Sequence, residues 1–581
     1  MTQEAQTGHG WDVVLTDSLE KVYPDQDPRP LDRSIPHSVL LGETASFQIA
    51  LRPPQRHDFR LAGPLTVTVS GARPDCLSLF QAELVPVLLP AFPERTEGYD
   101  RVTPGLYPDL LKPLAQGVES SETEPDAVSG QVRPLYGQWT ALWVDLTVPT
   151  AGGIERAGDY ELTVTVADST GTVLFRDQVQ ISVLPVAAPP LGIVNTHWLH
   201  CDGLAQYYQV PVFGEEHWAI IDRFVASAAR MGVNSILTPT WTPPLDTQVD
   251  GYRLPTQLIG ISTDDAGVYH FDFSALIRWM ELCRRHGIEY LEVAHLFTQW
   301  GAAWTPAIYV ESDGVLERRF GWDVAADSPE YRALTEQLIP ALRAVLEEHW
   351  SLEKVIFHIS DEPHGQEALA SYRRAKDAVS DLLDGCRVVD ALSDFEFYSS
   401  GVVPHPVVAS DAVGPFLAAG VQDLWTYYCV SQDHKVANRF IAMPSVRNRV
   451  IGHQLFALGF TGFLHWGFNF YNTQYSVSAL NPFEDTCAGG GFPGGDSFVV
   501  YPGAEGEPWE SIRHRVFAQA MADHRAFELL AGLSDRESVV SLLDSNGAGG
   551  PLAMDNFSYE PGYYRRVREQ INQRISQLSR I

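Results

Sequence analysis

The 581-residue sequence predicts an α/β protein: an N-terminal antiparallel β-sandwich over residues 1–188, a (β/α)8 barrel of the TIM type over 189–535, and a C-terminal extension over 536–581. Three observations predict it. Short runs of alternating apolar and polar residues fill the first third of the chain, and from residue 193 apolar strands alternate with amphipathic helical periods. Within that second region, Lys354-Val-Ile-Phe-His-Ile-Ser-Asp-Glu-Pro-His364 ends an apolar strand on two adjacent carboxylates.

The sandwich rests on Ala45-Ser-Phe-Gln-Ile-Ala-Leu51, Leu65-Thr-Val-Thr-Val69, Thr140-Ala-Leu-Trp-Val-Asp-Leu-Thr-Val148, Tyr160-Glu-Leu-Thr-Val-Thr-Val166 and Gln178-Val-Gln-Ile-Ser-Val183, separated by turn clusters. Residues 90–114 hold too much proline for strands and are too long for an ordinary connection, so they read as a functional loop or an inert surface excursion. Pro185-Val-Ala-Ala-Pro-Pro-Leu-Gly192 reads as a stiff linker. Beyond it, helical periods over 216–231, 273–286, 329–350, 367–383 and 509–533 alternate with eight strand candidates. The strands are 193–199, 234–239, 290–297, 354–359, 387–392, 407–409, 424–429 and 462–468, which is the count of a (β/α)8 barrel. The arginine-rich 561–581 reads as a packing arm, a homo-oligomer contact or a solvated helix.

Composition narrows the function. With 73 acidic and 41 basic residues the formal charge is −32, which repels nucleic acid and anionic membrane surfaces and suits a neutral substrate. Six scattered cysteines without C-x-x-C spacing suggest reduced, buried thiols rather than a zinc ribbon or a disulfide framework. The first ten residues lack the pattern of a signal peptide, and no run of 18 apolar residues follows, so the expected location is the cytoplasm.

The chemistry is expected at the carboxyl ends of the barrel strands, where Asp361 and Glu362 stand before Pro363. Other strand ends carry His197-Trp-Leu-His-Cys-Asp202, Thr240-Trp-Thr242, His295-Leu-Phe-Thr-Gln-Trp300, Asp390-Ala-Leu-Ser-Asp394, Trp425-Thr-Tyr-Tyr428 and His465-Trp-Gly-Phe-Asn-Phe-Tyr471. A single buried ring is more often packing than ligand, but six such sets suit a sugar, whose C–H face stacks on rings while its hydroxyls need directional partners. His197, Trp198, Asp202, Trp241, His295, Asp394, Trp466 and Asn469 are the candidate contacts these sets supply.

Adjacent carboxylates fit substrate assistance better than a protein nucleophile, which usually needs a second carboxylate on another strand. In that scheme the carbonyl oxygen of a 2-acetamido group attacks the anomeric carbon, Asp361 holds the amide N–H, and Glu362 serves as acid and then base. Alternatives are a glycosidase with Glu292, Asp390 or Asp394 as nucleophile, a metal-dependent hydrolase ligated by His358, Asp361, Glu362 and His364, and a non-catalytic carbohydrate-binding protein.

Sandwich, linker, barrel and the strand-end Asp361-Glu362-Pro363 together resemble glycoside hydrolase family 123, the β-N-acetylgalactosaminidases. Gly105-Leu-Tyr-Pro-Asp109, His197-Trp198, Trp425-Thr-Tyr-Tyr428 and Gly495-Asp-Ser-Phe-Val-Val-Tyr-Pro-Gly503 resemble further landmarks, so the likeness spans most of 11–530. The resemblance implies an exo-acting retaining hydrolase of terminal β-linked N-acetylgalactosamine on a glycan or glycoconjugate, with Asp361 assisting the acetamido group and Glu362 as acid/base. It implies no cofactor and no metal. It also implies a tyrosine on the acetamido oxygen, either Tyr427 or Tyr428 because neighbouring strand residues face opposite sides. Trp466, Asn469 and Asp496 are implied sugar contacts.

Overall fold

A computed structural model describes residues 10–54, 63–114, 126–264, 266–545 and 549–579, so the N-terminal peptide before Gly10 lies outside the described residues. The chain forms two compact units, one drawn from 1–192, 437–458 and 509–581 and the other from 193–436 and 459–508.

The first unit contains two five-stranded sheets. One has the order Asp12–Asp17, Thr44–Arg52, Thr140–Thr147, Leu77–Val87, Gly105–Pro113, and the other Ser38–Leu41, Val173–Ala187, Gly158–Ala167, Leu65–Ser70, Ala127–Val132. Neighbours are antiparallel except Ser38–Leu41, which runs parallel to Val173–Ala187 with Ser182 opposite Ser38. Alternation turns Phe47, Ile49, Val67, Val144, Leu162 and Val164 into one shared apolar core.

Residues 105–113 correct the expectation that proline keeps 90–114 out of the sheets. Gly105–Pro113 is an edge strand against Leu77–Val87, with Glu83 opposite Leu110 and Leu84 opposite Pro108, which leaves Asp109 as a bulge. An edge and a bulge are the places where a strand accepts proline. Asp109 is buried and forms an ion pair with Arg513 at 2.8 Å.

Helices Ser445–Arg449, Ile451–Leu458, Ile512–Leu533, Arg536–Ser545 and Pro561–Leu578 complete this unit. Residues 437–458 and 509–535, expected in the barrel span, are gathered here. The physical reason is the helix Ile512–Leu533, which buries residues on most of its circumference, from Val516 and Phe517 to Ala526 and Phe527, and therefore needs neighbours on several sides. A Cβ on Gly452 would stand 2.0 Å from the carbonyl oxygen of Ala520, so glycine permits the close approach of two of these helices. Helix Pro561–Leu578 buries Tyr563, Tyr564, Val567, Ile571 and Ile575, and its Arg568 pairs with Asp523 at 3.2 Å and with Glu43.

The second unit is built on a nearly closed parallel sheet of nine short strands. Their order is Arg387–Val388, Val355–Phe357, Tyr290–Val293, Ser235–Thr238, Val194–His197, Gly462–His465, Trp425–Tyr427, Pro406–Ala409, Asp390–Leu392. The two end strands are separated by Val389 alone, whose N–H donates to the Phe357 carbonyl at 3.0 Å. Each of the eight expected segments coincides with at least one of these strands, 407–409 lying within Pro406–Ala409 and 387–392 containing two. A four-stranded sheet of Tyr269–Asp272, Gly260–Thr263, Ile308–Ser312 and Val315–Phe320 adds to this unit. Alternate residues of the parallel strands, including Val194, Leu237, Ile356, Val407, Trp425 and Leu464, fill the interior. Among the described residues no helix is long and apolar enough to cross a membrane.

Candidate active site

Strand Val355–Phe357 carries the chain to Asp361 and Glu362, and its pairing continues past its end: the N–H groups of Leu296 and Phe297 donate to the carbonyls of His358 and Ile359, both at 3.0 Å. Asp390 anchors the segment from the other side by accepting from the N–H groups of Ile359 and Ser360, at 3.0 and 3.3 Å, and from the Tyr372 hydroxyl. Glu362 has φ 43°, the left-handed region that a side chain other than glycine rarely adopts. Pro363 disfavours the helical alternative for the residue before it. Strain held this way is a mark of functional sites.

The two carboxyls line a cavity of about 170 Å3 with Trp198, Asp246, Gln299, Trp300, Tyr427 and Trp466, among others. The volume is smaller than the roughly 300–1,000 Å3 of pockets for drug-sized ligands and matches a single sugar ring. The Tyr427 hydroxyl donates to Glu362 Oε1 at 2.6 Å, and the Cys429 thiol lies 3.8 Å from the same oxygen. Burial and the Glu362 charge raise the Tyr427 phenol well above its ordinary range, so it remains a donor. Burial raises Glu362 against the opposing pull of the Tyr427 and Cys429 hydrogen bonds. Burial and the charge of Glu362 raise Asp361 well above the carboxylate range, with Asp390 and Asp246 adding to the effect and His358 opposing it. The cavity thus brings together three carboxyls, since Asp246 is also raised by burial, to about 6.

Next to the acid pair lies a buried polar layer. His358 Nε2 is 2.8 Å from Glu292 Oε2 and its Nδ1 is 3.5 Å from Asp390 Oδ1. Burial works against its charge, but Asp390 and Glu292 raise it to about 10. Glu292 also accepts from Thr196, from Trp198 Nε1 at 3.0 Å and from Ser235 at 3.2 Å. Glu292 and Asp390, both considered as nucleophiles, are fully buried in this network and do not line the cavity.

The family model "Glycoside hydrolase 123, catalytic domain" matches residues 198–530, more than half of the chain. The chain belongs to glycoside hydrolase family 123. It is therefore an enzyme that hydrolyses glycosides. No curated protein sequence matches it. Among solved structures it is similar to a family 123 glycoside hydrolase from Clostridium perfringens, described for glycolipid glycan hydrolysis, with a TM-score of 0.69 and 14% identity over 98% of this chain and 99% of that one. A Lactobacillus rhamnosus β-glucuronidase aligns with a TM-score of 0.31 and 12% identity, over 82% of this chain and 66% of that one.

In this family 123 hydrolase, Asp361, Glu362, Trp198, Tyr427 and Trp466 line the cavity. Tyr428 does not; it is buried with ring centroids 5.0 Å from Phe463 and 5.3 Å from His465. His197 stacks on His465 at 5.8 Å. Asp202 forms a buried ion pair with Arg253, and Asn469 exchanges hydrogen bonds with the His200 backbone at 2.8 and 3.1 Å. Trp241 donates to the His295 carbonyl at 2.8 Å, while the His295 ring stacks on His358 at 4.5 Å and meets Trp198 edge-on at 5.1 Å. Asp394 caps helix Phe395–Ser399. Asp496 accepts from Trp466 Nε1 at 3.1 Å and so fixes a ring that does line the cavity. Gly467 lets the two segments meet, since a Cβ there would lie 2.5 Å from the Asp496 carbonyl oxygen. His358 faces Glu292 and His364 is exposed, so the residues weighed as metal ligands do not converge.

The cavity also includes residues outside the candidate contacts drawn from the sequence: Asp246, Gln299, Trp300, Gln474, Tyr475 and Phe492. Gln299 and Trp300 end the polar-aromatic set begun by His295. Asp246 follows Thr240-Trp-Thr242 by a few residues, which was its one available signal.

Proposed function

We propose that this family 123 hydrolase is an exo-acting, retaining β-N-acetylgalactosaminidase that uses the 2-acetamido group of its substrate as nucleophile. The observation that carries the reading is the adjacency of Asp361 and Glu362 in a cavity of single-sugar size, with the Tyr427 hydroxyl already on Glu362. The acetamido oxygen attacks the anomeric carbon while Glu362 gives its proton to the leaving glycosidic oxygen. Asp361 accepts the acetamido N–H and balances the positive charge of the forming oxazoline. Glu362, now ionised, takes a proton from water as that water opens the oxazoline, which returns the starting configuration. Tyr427 turns from Glu362 to the acetamido oxygen when substrate enters. Trp198 and Trp466 supply apolar walls for the ring.

The substrate is a glycan or glycoconjugate ending in N-acetylgalactosamine, and the glycolipid-directed relative of similar fold is consistent with that class. Counting the two strands on either side of Val389 as one gives eight and a (β/α)8 barrel of the TIM type. Six scattered cysteines without C-x-x-C spacing suit a reducing, cytoplasmic setting. A second reading makes Asp246 a protein nucleophile, because it lines the same cavity.

Initial rates on aryl β-N-acetylgalactosaminide, β-N-acetylglucosaminide and plain β-galactoside test the proposal, with Glu362→Gln run beside the wild type. Turnover of the N-acetylgalactosaminide alone, lost in the variant, is the expected result. Turnover of the plain galactoside would refute acetamido assistance and favour Asp246.

A further inference from the structure

Trp300 and Tyr475 line the catalytic cavity yet are 47% and 43% exposed, which makes them its mouth. Their rings meet edge to face, with centroids 5.9 Å apart and planes at 81°, and form a corner open to solvent. Exposed aromatics grouped at the edge of a cavity form the kind of apolar patch that marks a binding groove.

The backbone under these rings is tightly held. The Trp300 N–H donates to the Asp361 carbonyl at 2.9 Å, so the ring is tied to the residue beside the acid. The Tyr475 N–H donates to Asp246 Oδ2 at 3.0 Å, the Ser476 hydroxyl to the Asp246 carbonyl at 2.7 Å, and the Asp246 N–H to Gln299 Oε1 at 2.6 Å. Asp246, Trp300, Tyr475 and Ser476 all have positive φ, between 38° and 62°. Four side-chain-bearing residues in that conformation within one hydrogen-bonded frame fix where the rings stand.

We propose that Trp300 and Tyr475 form an acceptor subsite that stacks the second sugar of a neutral glycan, the residue to which the cleaved sugar is attached. This rests on the hydrolase reading above. The cavity of about 170 Å3 has room for one sugar ring, so the next residue must lie toward its exposed side, where the two aromatics are. A pyranose presents a C–H face that packs on an aromatic ring. Among the described residues no lysine, arginine or histidine lines the cavity, while Asp246, Asp361 and Glu362 do, and the chain carries a charge of −32. Sulfated or sialylated acceptors find no cation there.

The test uses the full-length Glu362→Gln protein, so that ligands bind without turnover. Calorimetry gives dissociation constants for N-acetylgalactosamine and for its β-linked disaccharide with galactose, and the ratio of the two is the readout. We expect the disaccharide preference to fall about tenfold in Trp300→Ala and in Tyr475→Ala, and to be largely kept in Trp300→Phe. A ratio unchanged in both alanine variants would overturn the subsite, and so would a sulfated galactose acceptor binding as tightly as the neutral one. Failure of the wild type to cleave the disaccharide, measured separately, would instead overturn the β-N-acetylgalactosaminidase reading.

Discussion

Removing the Tyr427 hydroxyl should move the alkaline limb of the pH–rate profile. The hydroxyl donates to Glu362 Oε1 at 2.6 Å, the length of a charge-assisted O–H···O bond, and it stabilises the ionised carboxylate. Such bonds contribute about 1.5–3 kcal/mol, and water entering from the open cavity replaces part of that in Tyr427→Phe. A remainder of about 1.4 kcal/mol corresponds to about one pH unit. The sign follows directly: the hydroxyl holds Glu362 lower, so its loss raises Glu362 and keeps the acid protonated to higher pH. The assay is kcat/KM for the aryl β-N-acetylgalactosaminide between pH 4 and 10, because that parameter reports the free enzyme, in which the hydrogen bond exists. The profile of kcat should shift less, since Tyr427 has left Glu362 in the bound state. An alkaline limb that stays in place or moves toward acid would refute the role given to this bond, whatever the fall in overall rate.

Other perturbations have equally definite outcomes. Glu362→Gln should lower turnover of poor leaving groups by roughly 10²- to 10⁴-fold, the usual range for lost acid catalysis, and lower activated aryl glycosides less, as steady-state rates will show. Asp246→Asn removes a negative charge that raises Asp361, so the acid limb, which reports the first ionisation of the adjacent Asp361–Glu362 pair, should move to lower pH. His358→Gln leaves Glu292 and Asp390 buried without their cation and should destabilise the protein by about 3–5 kcal/mol in a denaturant titration. In the wild type His358 is raised from 6.5 to about 10, so its stabilisation is full below pH 6.5 and is lost as pH climbs toward 10. Thermal unfolding of the variant should show a flatter decline across that window.

Much of this molecule can be read in the chain, for reasons that differ by element. Alternation in the sandwich runs and the apolar strands of the second unit have short periods, and they locate ten-residue stretches well. The run to Asp361-Glu362-Pro363 carries its own stop signal, which is why the acid pair is visible at the head of the cavity. Tyr427 and Tyr428 could not be separated by sequence, because the face a strand residue takes depends on register. Asp246, Gln474 and Tyr475 come from aperiodic loops that converge only after the sheet has nearly closed. The strand Gly105–Pro113 was hidden because proline is judged by local rules, whereas its edge position is a property of the whole sheet. The gathering of 437–458 with 509–581 likewise depends on contacts remote in sequence, such as the approach of Gly452 to Ala520.

The contacts of helix Pro561–Leu578 constrain the order in which the protein can be completed on the ribosome. Glu569 accepts from the Ser38 N–H across 531 residues of chain, and Arg568 reaches Glu43 across 525. The first unit therefore has its early strands made long before it can be finished, because residues 568 and 569 must first be synthesised. At a synthesis rate of roughly 5–20 residues per second, its early strands wait for about half a minute to nearly two minutes with the surface meant for this helix still uncovered. During that interval the whole parallel sheet of the second unit has already left the exit tunnel, so nascent chains truncated before residue 560 should be the aggregation-prone species and the chaperone clients.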